Sequence, residues 1–401
     1  MRPQISHRAS LLPASPIRKL MPLADDARKR GVHVYHLNIG QPDLPTPAAM
    51  RARLVNIPEI VAYSPSAGTA ECLGVLQRYY EKVGLPLQRN EIIATAGGSE
   101  AVLFAVLATC NDGDEILIIE PFYTNYTAFA TMAGVRLVPV ASRGEDGFHL
   151  PPIAELERAR TPRTRAVILC NPNNPTGTVY TRAELEAIGA FCREHGLFLI
   201  SDEVYREFVY DGREVTSALT LPGLEEHVIL VDSLSKRFSA CGLRLGCLAT
   251  RNPEVYQASL RMAQGRLSPP GLAQLAALGI DELDASYYQG IVKEYQARRD
   301  VLFEGLSAIP GLFLRKPEGA FYFVARLPIQ DGDDFATYML SEYSLDGATV
   351  MVAPAKGFYA SPHLGADEVR IAYVLEKRDL EASVRILAEA IPAYRAARGL
   401  A

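Results

Sequence analysis

Lys236 stands in the run Ser233-Leu-Ser-Lys-Arg-Phe-Ser-Ala-Cys-Gly-Leu-Arg244-Leu-Gly246. A lysine amine attacks a carbonyl carbon only in its neutral form, so a catalytic lysine needs surroundings that lower its pKa. Ser233, Ser235 and Arg244 carry the hydroxyl and guanidinium donors that bind a phosphate. Because a lysine beside a phosphate site is how pyridoxal 5′-phosphate is held as a Schiff base, the run predicts that cofactor. The alternative is a serine-rich loop with a solvated lysine.

Five short apolar runs alternate with helical patterns between about residues 70 and 250. Continuous apolar runs without alternation are typical of strands buried on both faces, as in a mostly parallel sheet flanked by helices. In such sheets ligands bind outside the carboxyl ends of the strands. The residues that follow the five runs are therefore expected to face one crevice; they are Gly98 and Ser99, Tyr123, Asn174, Asp202 with Tyr205, and Ser233 to Lys236.

Four of these residues can be interpreted either as cofactor-binding or as purely structural: Gly98, Ser99, Tyr123 and Asp202. Gly98 and Ser99 precede a helical pattern, where free N–H groups favour a phosphate, although such a pair is also a common tight turn. Tyr123 has a ring that can stack on a pyridine ring or simply pack in the core. Asp202 follows a buried strand and needs a partner. A protonated pyridine nitrogen would be that partner, and an arginine is the alternative.

Tyr205, Asn174 and Arg370 complete the candidate set. Tyr205 and Asn174 are suited to hydrogen-bond the phenolic oxygen of the ring, which would lower the pKa of the Schiff base. The Asn174-Pro-Thr-Gly177 segment also fits a plain type I turn. Arg370 lies in the strand-like run Val369-Arg-Ile-Ala-Tyr373. A guanidinium among apolar residues favours a carboxylate, here the substrate α-carboxylate, and the alternative is an exposed arginine.

Composition excludes several classes of function. The net charge of -5 is mild and the basic residues are scattered, so no nucleic-acid surface is expected. The six cysteines form no CxxC pair, which indicates a reducing compartment. The first 22 residues lack the apolar core of a signal peptide and no apolar run has bilayer length, so we expect a cytoplasmic protein without a membrane span. No metal-ligand spacing occurs, and His33 and His36 are interpreted as ordinary histidines.

The pattern changes after residue 285. A long helical stretch at 287–307 is followed by strand-like segments at 312–315, 321–326, 349–352 and 369–374 and by a helix at 376–390. The opening segment contains a helical pattern at 17–29. The sequence predicts an α/β fold with a large cofactor-binding domain, residues 46–285, whose mostly parallel central sheet is flanked by helices. A smaller α+β domain would combine residues 1–45 with residues 286–401.

These segments together resemble the class I aminotransferases, the aspartate-aminotransferase-like family of fold-type-I pyridoxal-phosphate enzymes. The resemblance covers nearly the whole chain, in the family's order and spacing. The matching motifs are Gly40-Gln-Pro-Asp43, Tyr63 with Gly68, Gly97-Gly-Ser-Glu100, Pro121-Phe-Tyr123, Asn171 to Gly177, Ser201-Asp-Glu-Val-Tyr205, the lysine run, Gly319-Ala-Phe-Tyr322 and Val369 to Tyr373. One departure is Leu243, which stands where many relatives carry tryptophan.

The resemblance implies a role for each residue. Lys236 would form the Schiff base and move the proton, Asp202 would bind the pyridine nitrogen, and Arg370 with the Gly40 backbone would bind the substrate carboxylate. Tyr63 would reach the phosphate of a second subunit, which implies a homodimer with shared sites. Asn174–Pro175 would be a cis peptide. The other cofactor-binding residues would be Gly98, Ser99, Glu100, Tyr123, Asn174, Tyr205, Ser233, Ser235 and Arg244, with Asn174 also near the substrate.

The function implied is transfer of an amino group from an L-amino acid, with aspartate the leading donor, to a 2-oxo acid, with 2-oxoglutarate the leading acceptor. Arg266 could bind the distal carboxylate of such substrates or serve a subunit interface. Tyr322, Phe358 and Tyr359 could instead favour aromatic or broad specificity. A carbon–sulfur β-lyase on the same fold is a further alternative. A non-enzymatic regulator is disfavoured because residues 1–40 are too short and too weakly basic for a DNA-binding segment.

Overall fold

The structure, a computed structural model, describes residues 3–12 and 18–400. Within these ranges no helix combines the length and apolar character needed to cross a bilayer. The α-helices are α1 (His7–Ser10), α2 (Met21–Lys29), α3 (Ala48–Ala52), α4 (Ala70–Lys82), α5 (Gly98–Thr109), α6 (Asn125–Ala133), α7 (Ile153–Ala159), α8 (Arg182–Glu194), α9 (Pro253–Arg266), α10 (Gly271–Ala277), α11 (Ala285–Ser307), α12 (Gly332–Ser341) and α13 (Lys377–Ala397).

The strands belong to three sheets. They are β1 (His33–His36), β2 (Ile92–Thr95), β3 (Glu115–Glu120), β4 (Arg136–Ala141), β5 (Thr164–Cys170), β6 (Phe198–Asp202), β7 (Val228–Ser233), β8 (Gly246–Thr250), β9 (Phe313–Leu314), β10 (Tyr322–Arg326), β11 (Ala348–Met351), β12 (Ala353–Pro354) and β13 (Glu368–Ala372).

The central sheet has seven strands in the order β2-β8-β7-β6-β5-β3-β4. Neighbours from β7 to β4 are parallel, whereas β8 runs antiparallel to both β2 and β7. Successive side chains of a strand point to opposite faces, and both faces are covered here. In β3, Leu117 and Ile119 join one core cluster while Ile116 and Ile118 join the other. The expectation of a mostly parallel sheet flanked by helices is confirmed.

A smaller sheet is formed by the last third of the chain. Its four strands are antiparallel in the order β12-β13-β10-β9. Strand β1 pairs in parallel with β11, which brings the N-terminal part of the chain beside the C-terminal part. Helices α2, α11, α12 and α13 contribute to the core cluster of these elements. This agrees with a small α+β unit built from both chain ends, while the boundaries at residues 45 and 285 stay a prediction.

Several element ends differ from the expected ones. The helix expected at 17–29 begins at Met21, and residue 17 lies outside the described residues. The last helix continues past residue 390 to Ala397 although it contains Pro392. Proline removes one backbone donor, but Ile391 and Tyr394 continue the buried face, and their burial offsets that loss.

The prediction of a cis peptide at Asn174–Pro175 is wrong. The cis bonds of the described chain are Glu120–Pro121 and Asn171–Pro172. The turn that contains Pro175 is closed by a hydrogen bond from the Gly177 amide to the Asn173 carbonyl, at 2.9 Å. The turn therefore closes with Pro175 in the trans form.

Candidate active site

A cavity of about 520 Å³ lies at the carboxyl ends of the central strands. The last residues of β5, β6 and β7, which are Cys170, Asp202 and Ser233, all line it. The parallel order of these strands explains why residues far apart in sequence meet there. The residues of the candidate set that line it are Gly40, Gly98, Ser99, Tyr123, Asn174, Asp202, Tyr205, Ser233, Ser235, Lys236, Arg244 and Arg370.

Lys236 is partly buried and its amine faces the cavity. Its Nζ donates a hydrogen bond to the Gly40 carbonyl oxygen at 2.8 Å. Removal from water lowers the pKa of Lys236, and the positive charges of Arg370 and Arg244 lower it further, while Cys241 acts in the opposite direction. A lysine whose neutral form is favoured in this way is suited to act as a nucleophile and as a base.

Asp202 is 7% exposed, at the end of β6. Its Oδ2 accepts a hydrogen bond from the Tyr126 hydroxyl at 2.7 Å, and its Oδ1 accepts one from the Val204 amide at 3.3 Å. Burial raises the pKa of Asp202 to about 6, against the lowering effect of these hydrogen bonds. Within the described part of the chain no basic side chain forms an ion pair with Asp202. The carboxylate can therefore gain a counter-charge from a cationic group in the cavity.

An anion site lies where α5 begins. The helix starts at Gly98 without a side-chain cap, so its first N–H groups are free to bind an anion. Arg244 approaches so closely that a Cβ at Gly97 would lie 2.5 Å from the guanidinium Nη2. Ser233 and Ser235 share a hydrogen bond between their hydroxyl oxygens at 2.9 Å. Free backbone donors, hydroxyls and a guanidinium form a site that fits a phosphate.

Tyr205 and Tyr322 form a hydroxyl pair inside the cavity. Their hydroxyl oxygens are 2.8 Å apart, and both side chains are buried. A Cβ at Gly40 would lie 1.8 Å from the Tyr322 hydroxyl oxygen, so this position tolerates only glycine while Tyr322 keeps its place. Tyr322 thus hydrogen-bonds Tyr205, the residue that the sequence analysis assigned to the phenolic oxygen of the cofactor. The sequence did not reveal this contact.

Arg370 is buried between the rings of Tyr322 and Phe358, with its Cζ 4.5 and 5.0 Å from the two ring centroids. One terminal nitrogen donates to the Asn174 Oδ1 at 3.1 Å and the other to the Asn38 carbonyl at 2.6 Å. Its Nε has no hydrogen-bond partner among the residues that the structure describes, and burial lowers the pKa of the guanidinium. No carboxylate neutralises it within the described chain, so Arg370 is ready to bind one from a substrate.

Three candidate residues do not line the cavity. Glu100 accepts a hydrogen bond from the Ala96 amide at 2.8 Å and lies 3.6 Å from Arg266. It therefore stabilises the loop that contains Gly97 without facing the cavity. Arg266 donates to the Ser66 and Ala94 carbonyls, which places this cation outside the cavity. Arg266 therefore does not face the cavity of its own chain. Tyr63 is 81% exposed on the surface.

The sequence reasoning missed Tyr126, Arg18 and Cys241. Tyr126 binds Asp202, whereas Arg18 and Cys241 line the cavity. Tyr126 follows Tyr123 by one helical turn, which was the available signal. Arg18 lies at the start of the helical pattern at 17–29, to which the sequence analysis gave no role in the site, and Cys241 lies within the lysine run. Among the residues described, no group of three or more His, Cys, Asp or Glu side chains is placed to hold a metal ion.

Known proteins share both the sequence pattern and the fold. The family described as aminotransferase class I and II matches residues 32–387. The chain is 32% identical to an aspartate/prephenate aminotransferase of Thermus thermophilus, over 96% of this chain and 98% of that one. It is 33% identical to an aromatic-amino-acid aminotransferase of Thermococcus litoralis, over 94% and 95%. The structure of Thermus thermophilus aspartate aminotransferase with maleate superposes with a TM-score of 0.87 at 30% identity, covering 97% of this chain and all of that one.

These matches extend over the strand-end residues that line the cavity and over the strands of all three sheets. Relatives named as aminotransferases support transamination and give no support to the β-lyase alternative. Enzymes of this family use pyridoxal 5′-phosphate. The chain belongs to the class I and II aminotransferase family, and it is a transaminase.

Proposed function

We propose that this transaminase holds pyridoxal 5′-phosphate in the cavity and that aspartate and 2-oxoglutarate are its leading substrates. The observation that carries the proposal is the buried Asp202 carboxylate, which has no cationic partner among the described residues and faces the same cavity as Lys236 and Arg370. Each group would bind a different part of one cofactor–substrate complex. Asp202 would pair with the ring cation, Lys236 would attack the carbonyl carbon, and Arg370 would bind the carboxylate.

The cavity walls fit the cofactor. When bound, pyridoxal phosphate supplies a carbonyl that an amine can take up and a cationic ring that draws electrons from the substrate Cα. Asp202 would hold the proton on the ring nitrogen, and the Tyr205 hydroxyl would bind the phenolic oxygen. The Tyr123 ring would stack on the cofactor ring. The phosphate would be bound by the free amides at the start of α5, Ser99, Ser233, Ser235 and Arg244.

Lys236 would serve first as nucleophile and then as base. Its lowered pKa favours the neutral amine that the carbonyl requires. Once the incoming amino acid has displaced it, Nζ would accept the proton from the substrate Cα and return it in the transfer. The Gly40 carbonyl, 2.8 Å from Nζ, would orient the amine during this movement.

Arg370 would fix the substrate by its α-carboxylate. Asn174 and the Asn38 carbonyl each take a hydrogen bond from the guanidinium and hold it in one orientation. The substrate carboxylate would satisfy its remaining hydrogen-bonding capacity, with the backbone at Gly40 nearby. In this arrangement Asn174 acts on the substrate through Arg370.

The second carboxylate of aspartate requires another cation. Arg18 lines the cavity, in contrast to Arg266, and it lies near enough to Tyr123 to influence the pKa of that phenol. The Thermus thermophilus relative was solved with maleate, a dicarboxylate, which supports the same substrate class here. Arg18→Ala should lower kcat/KM for aspartate by about 10- to 100-fold, the loss expected for a hydrogen bond to a charged group. The kcat/KM for a neutral donor such as leucine should change little.

A second candidate function is aromatic or broad specificity. Tyr322, Phe129 and Met21 line the cavity and offer apolar contacts, and the Thermococcus litoralis relative is named for aromatic amino acids. Phe358 packs on Arg370, and the Tyr359 hydroxyl bonds Glu368. A donor panel comparing aspartate with phenylalanine, with and without Arg18, separates the two candidates. A higher kcat/KM for phenylalanine would favour the second.

We also propose a homodimer in which Tyr63 reaches the phosphate of the partner site. The segment around it is unusually apolar for a free surface, since Val55 is 78% exposed and Ile60 is 80% exposed, with Ile57 and Val61 also exposed. Sedimentation should give twice the chain mass, and Tyr63→Phe should weaken cofactor binding. A monomer with full activity would contradict the proposal.

The six unpaired cysteines support a cytoplasmic location.

The direct test of the function uses purified protein supplied with the cofactor. We expect aspartate and 2-oxoglutarate to yield oxaloacetate and glutamate, and each amino donor to discharge the visible absorption of the bound cofactor. If aspartate leaves the absorption unchanged while other donors discharge it, the substrate proposal fails. If the protein takes up no cofactor, the whole proposal fails.

A further inference from the structure

A buried charged network lies directly beneath the lysine turn, and the chemistry described so far does not use it. Arg237, the residue after Lys236, is 2% exposed and forms an ion pair with Asp232. The same guanidinium donates to the Ser233 carbonyl at 3.3 Å and to the Tyr79 hydroxyl. Taking two charges out of water is costly, so the pair requires excellent geometry and further hydrogen bonds.

The network holds the turn at both of its ends. At the beginning, Asp232 accepts a hydrogen bond from the Ser233 amide at 2.7 Å and another from the Tyr80 hydroxyl at 2.7 Å. At the end, the Arg237 carbonyl accepts one from the Tyr287 hydroxyl at 2.8 Å. The guanidinium of Arg237 then closes the turn by bonding back to its first residue. The segment between these anchors carries Lys236 and the two serine hydroxyls.

The network also reaches the segment that carries Tyr205. The Tyr79 hydroxyl accepts from Arg237 and donates to the Glu207 carboxylate, two residues beyond Tyr205. The Arg237 guanidinium lies over the Tyr79 ring, 4.6 Å from its centroid, which adds a cation–π contact. One side chain, Tyr79, therefore connects the lysine turn with the loop on the other side of the cavity.

We propose that Arg237 is a positioning residue for Lys236, acting with Asp232 and Tyr79. It fixes the turn so that the amine of Lys236 and the hydroxyls of Ser233 and Ser235 keep their places relative to the cofactor. This inference rests on the proposed function, because the groups being positioned are those assigned to the cofactor. A displacement of about 1 Å in such a group is enough to change function by about 100-fold.

A second buried arginine provides the matched control. Arg299 is fully buried, donates to Asp211 at 2.7 and 2.8 Å, and also bonds Asp300 and the Pro317 carbonyl. It lies in α11 and does not line the cavity. Its replacement by lysine, which matches Arg237→Lys, should cost stability through the lost guanidinium contacts, but it should leave cofactor binding unaltered.

The experiment compares variants in the presence and absence of pyridoxal phosphate. Arg237→Met alone leaves Asp232 as a buried unpaired charge and could unfold the protein, so the main variant removes both charges as Arg237→Met with Asp232→Asn. Two milder variants, Arg237→Lys and Tyr79→Phe, accompany it, with Arg299→Lys as control. The measurements are the thermal unfolding of the cofactor-free protein, the dissociation constant for pyridoxal phosphate, and the pH midpoint of the visible spectrum of the holoenzyme.

For the paired variant we expect a dissociation constant raised about tenfold or more and a spectral midpoint moved by about one pH unit. Arg237→Lys should fall between this variant and the native protein, because one ammonium group cannot reproduce the guanidinium's separate contacts to Asp232, Ser233 and Tyr79. Tyr79→Phe should move the midpoint in the same direction by a smaller amount. Arg299→Lys should lower the unfolding temperature and leave both other measurements unchanged.

Native values of the dissociation constant and the midpoint in the folded paired variant would overturn the proposal. If the paired variant does not fold, Arg237→Lys and Tyr79→Phe decide: native values in both would equally overturn it. If Arg299→Lys changed the dissociation constant and the spectral midpoint as much as Arg237→Lys does, Arg237 would be only a stabilising residue, and the positioning role would be rejected. Failure of the native protein to bind the cofactor would instead remove the proposed function, so the two failures are distinguishable.

Discussion

Asp202→Asn tests the electrostatic part of the site most sharply. Asparagine keeps the shape of the side chain, although its one amide oxygen can accept only one of the two hydrogen bonds that now reach different carboxylate oxygens, from Tyr126 at 2.7 Å and from Val204 at 3.3 Å. It carries no charge to hold a proton on the cofactor ring. The substitution therefore removes the interaction between a buried carboxylate and a ring cation, together with one hydrogen bond to the side chain, and leaves the packing in place.

The expected magnitude follows from the burial of Asp202. Opposite charges about 4 Å apart attract by about 4 kcal/mol at an effective dielectric constant near 20, and a hydrogen bond to a charged group contributes about 1.5–3 kcal/mol. With about 3 kcal/mol lost from the transition state, the rate of the first half-reaction should fall roughly 100-fold. The loss should appear in the rate and much less in the affinity for aspartate, because Arg370 still binds the α-carboxylate.

The assay is a rapid-mixing measurement of the visible spectrum after aspartate is added to the loaded variant. Replacing the cofactor with its N-methylated analogue, which carries a permanent ring charge, should recover part of the lost rate. Tyr126→Phe is the control, since it removes a hydrogen bond to Asp202 and keeps the carboxylate; its loss should stay within about tenfold. A rate for Asp202→Asn within threefold of the native enzyme would refute the reasoning.

Three further predictions concern other parts of the molecule. Lys236→Ala should still bind cofactor and aspartate but should lose nearly all steady-state turnover; normal turnover would reject Lys236 as the base. Arg370→Lys should raise KM for several amino donors by about 10- to 100-fold, measured by initial rates, because an ammonium cannot keep the guanidinium's bonds to Asn174 and Asn38 and also bind the substrate carboxylate. His149, which bridges Glu184 and Glu318, has its pKa raised to about 9, so its stabilising effect is fully present below pH 6.5 and is lost as pH rises through 9. His149→Gln should therefore lower the free energy of unfolding by about 1–2 kcal/mol at pH 7 and by much less at pH 9.5, as measured by thermal unfolding at the two pH values. An equal loss at both pH values would contradict this prediction.

The arrangement of the site at the strand ends was predictable because it follows from chain order. Apolar runs without alternation identified β3, β5, β6 and β7, and parallel strands bring their carboxyl ends to one edge. Asp202 and Ser233 therefore meet in the cavity although 30 residues separate them in sequence. The resemblance to a family supplied roles that spacing alone could not give, such as the substrate carboxylate for Arg370.

Side-chain direction was not predictable in the same way. Arg266 and Glu100 looked suited to the site, yet they face each other beneath the glycine loop, because buried charges of opposite sign pair when they can. The hydroxyl pair of Tyr205 and Tyr322 depends on contact between the segment after β6 and the first residue of β10, 117 residues apart in sequence. The last helix passes Pro392 because its apolar face continues to be buried, a tertiary effect that local propensity does not contain.

The most direct test of the account is to locate the covalent attachment. Protein loaded with pyridoxal phosphate should be reduced with borohydride, which turns a carbon–nitrogen double bond to a lysine into a stable single bond, and its peptides should be mapped by mass spectrometry. We predict a phosphopyridoxyl group on Lys236 in stoichiometric amount. Label on another lysine, or no label while the protein still transfers amino groups, would contradict the account.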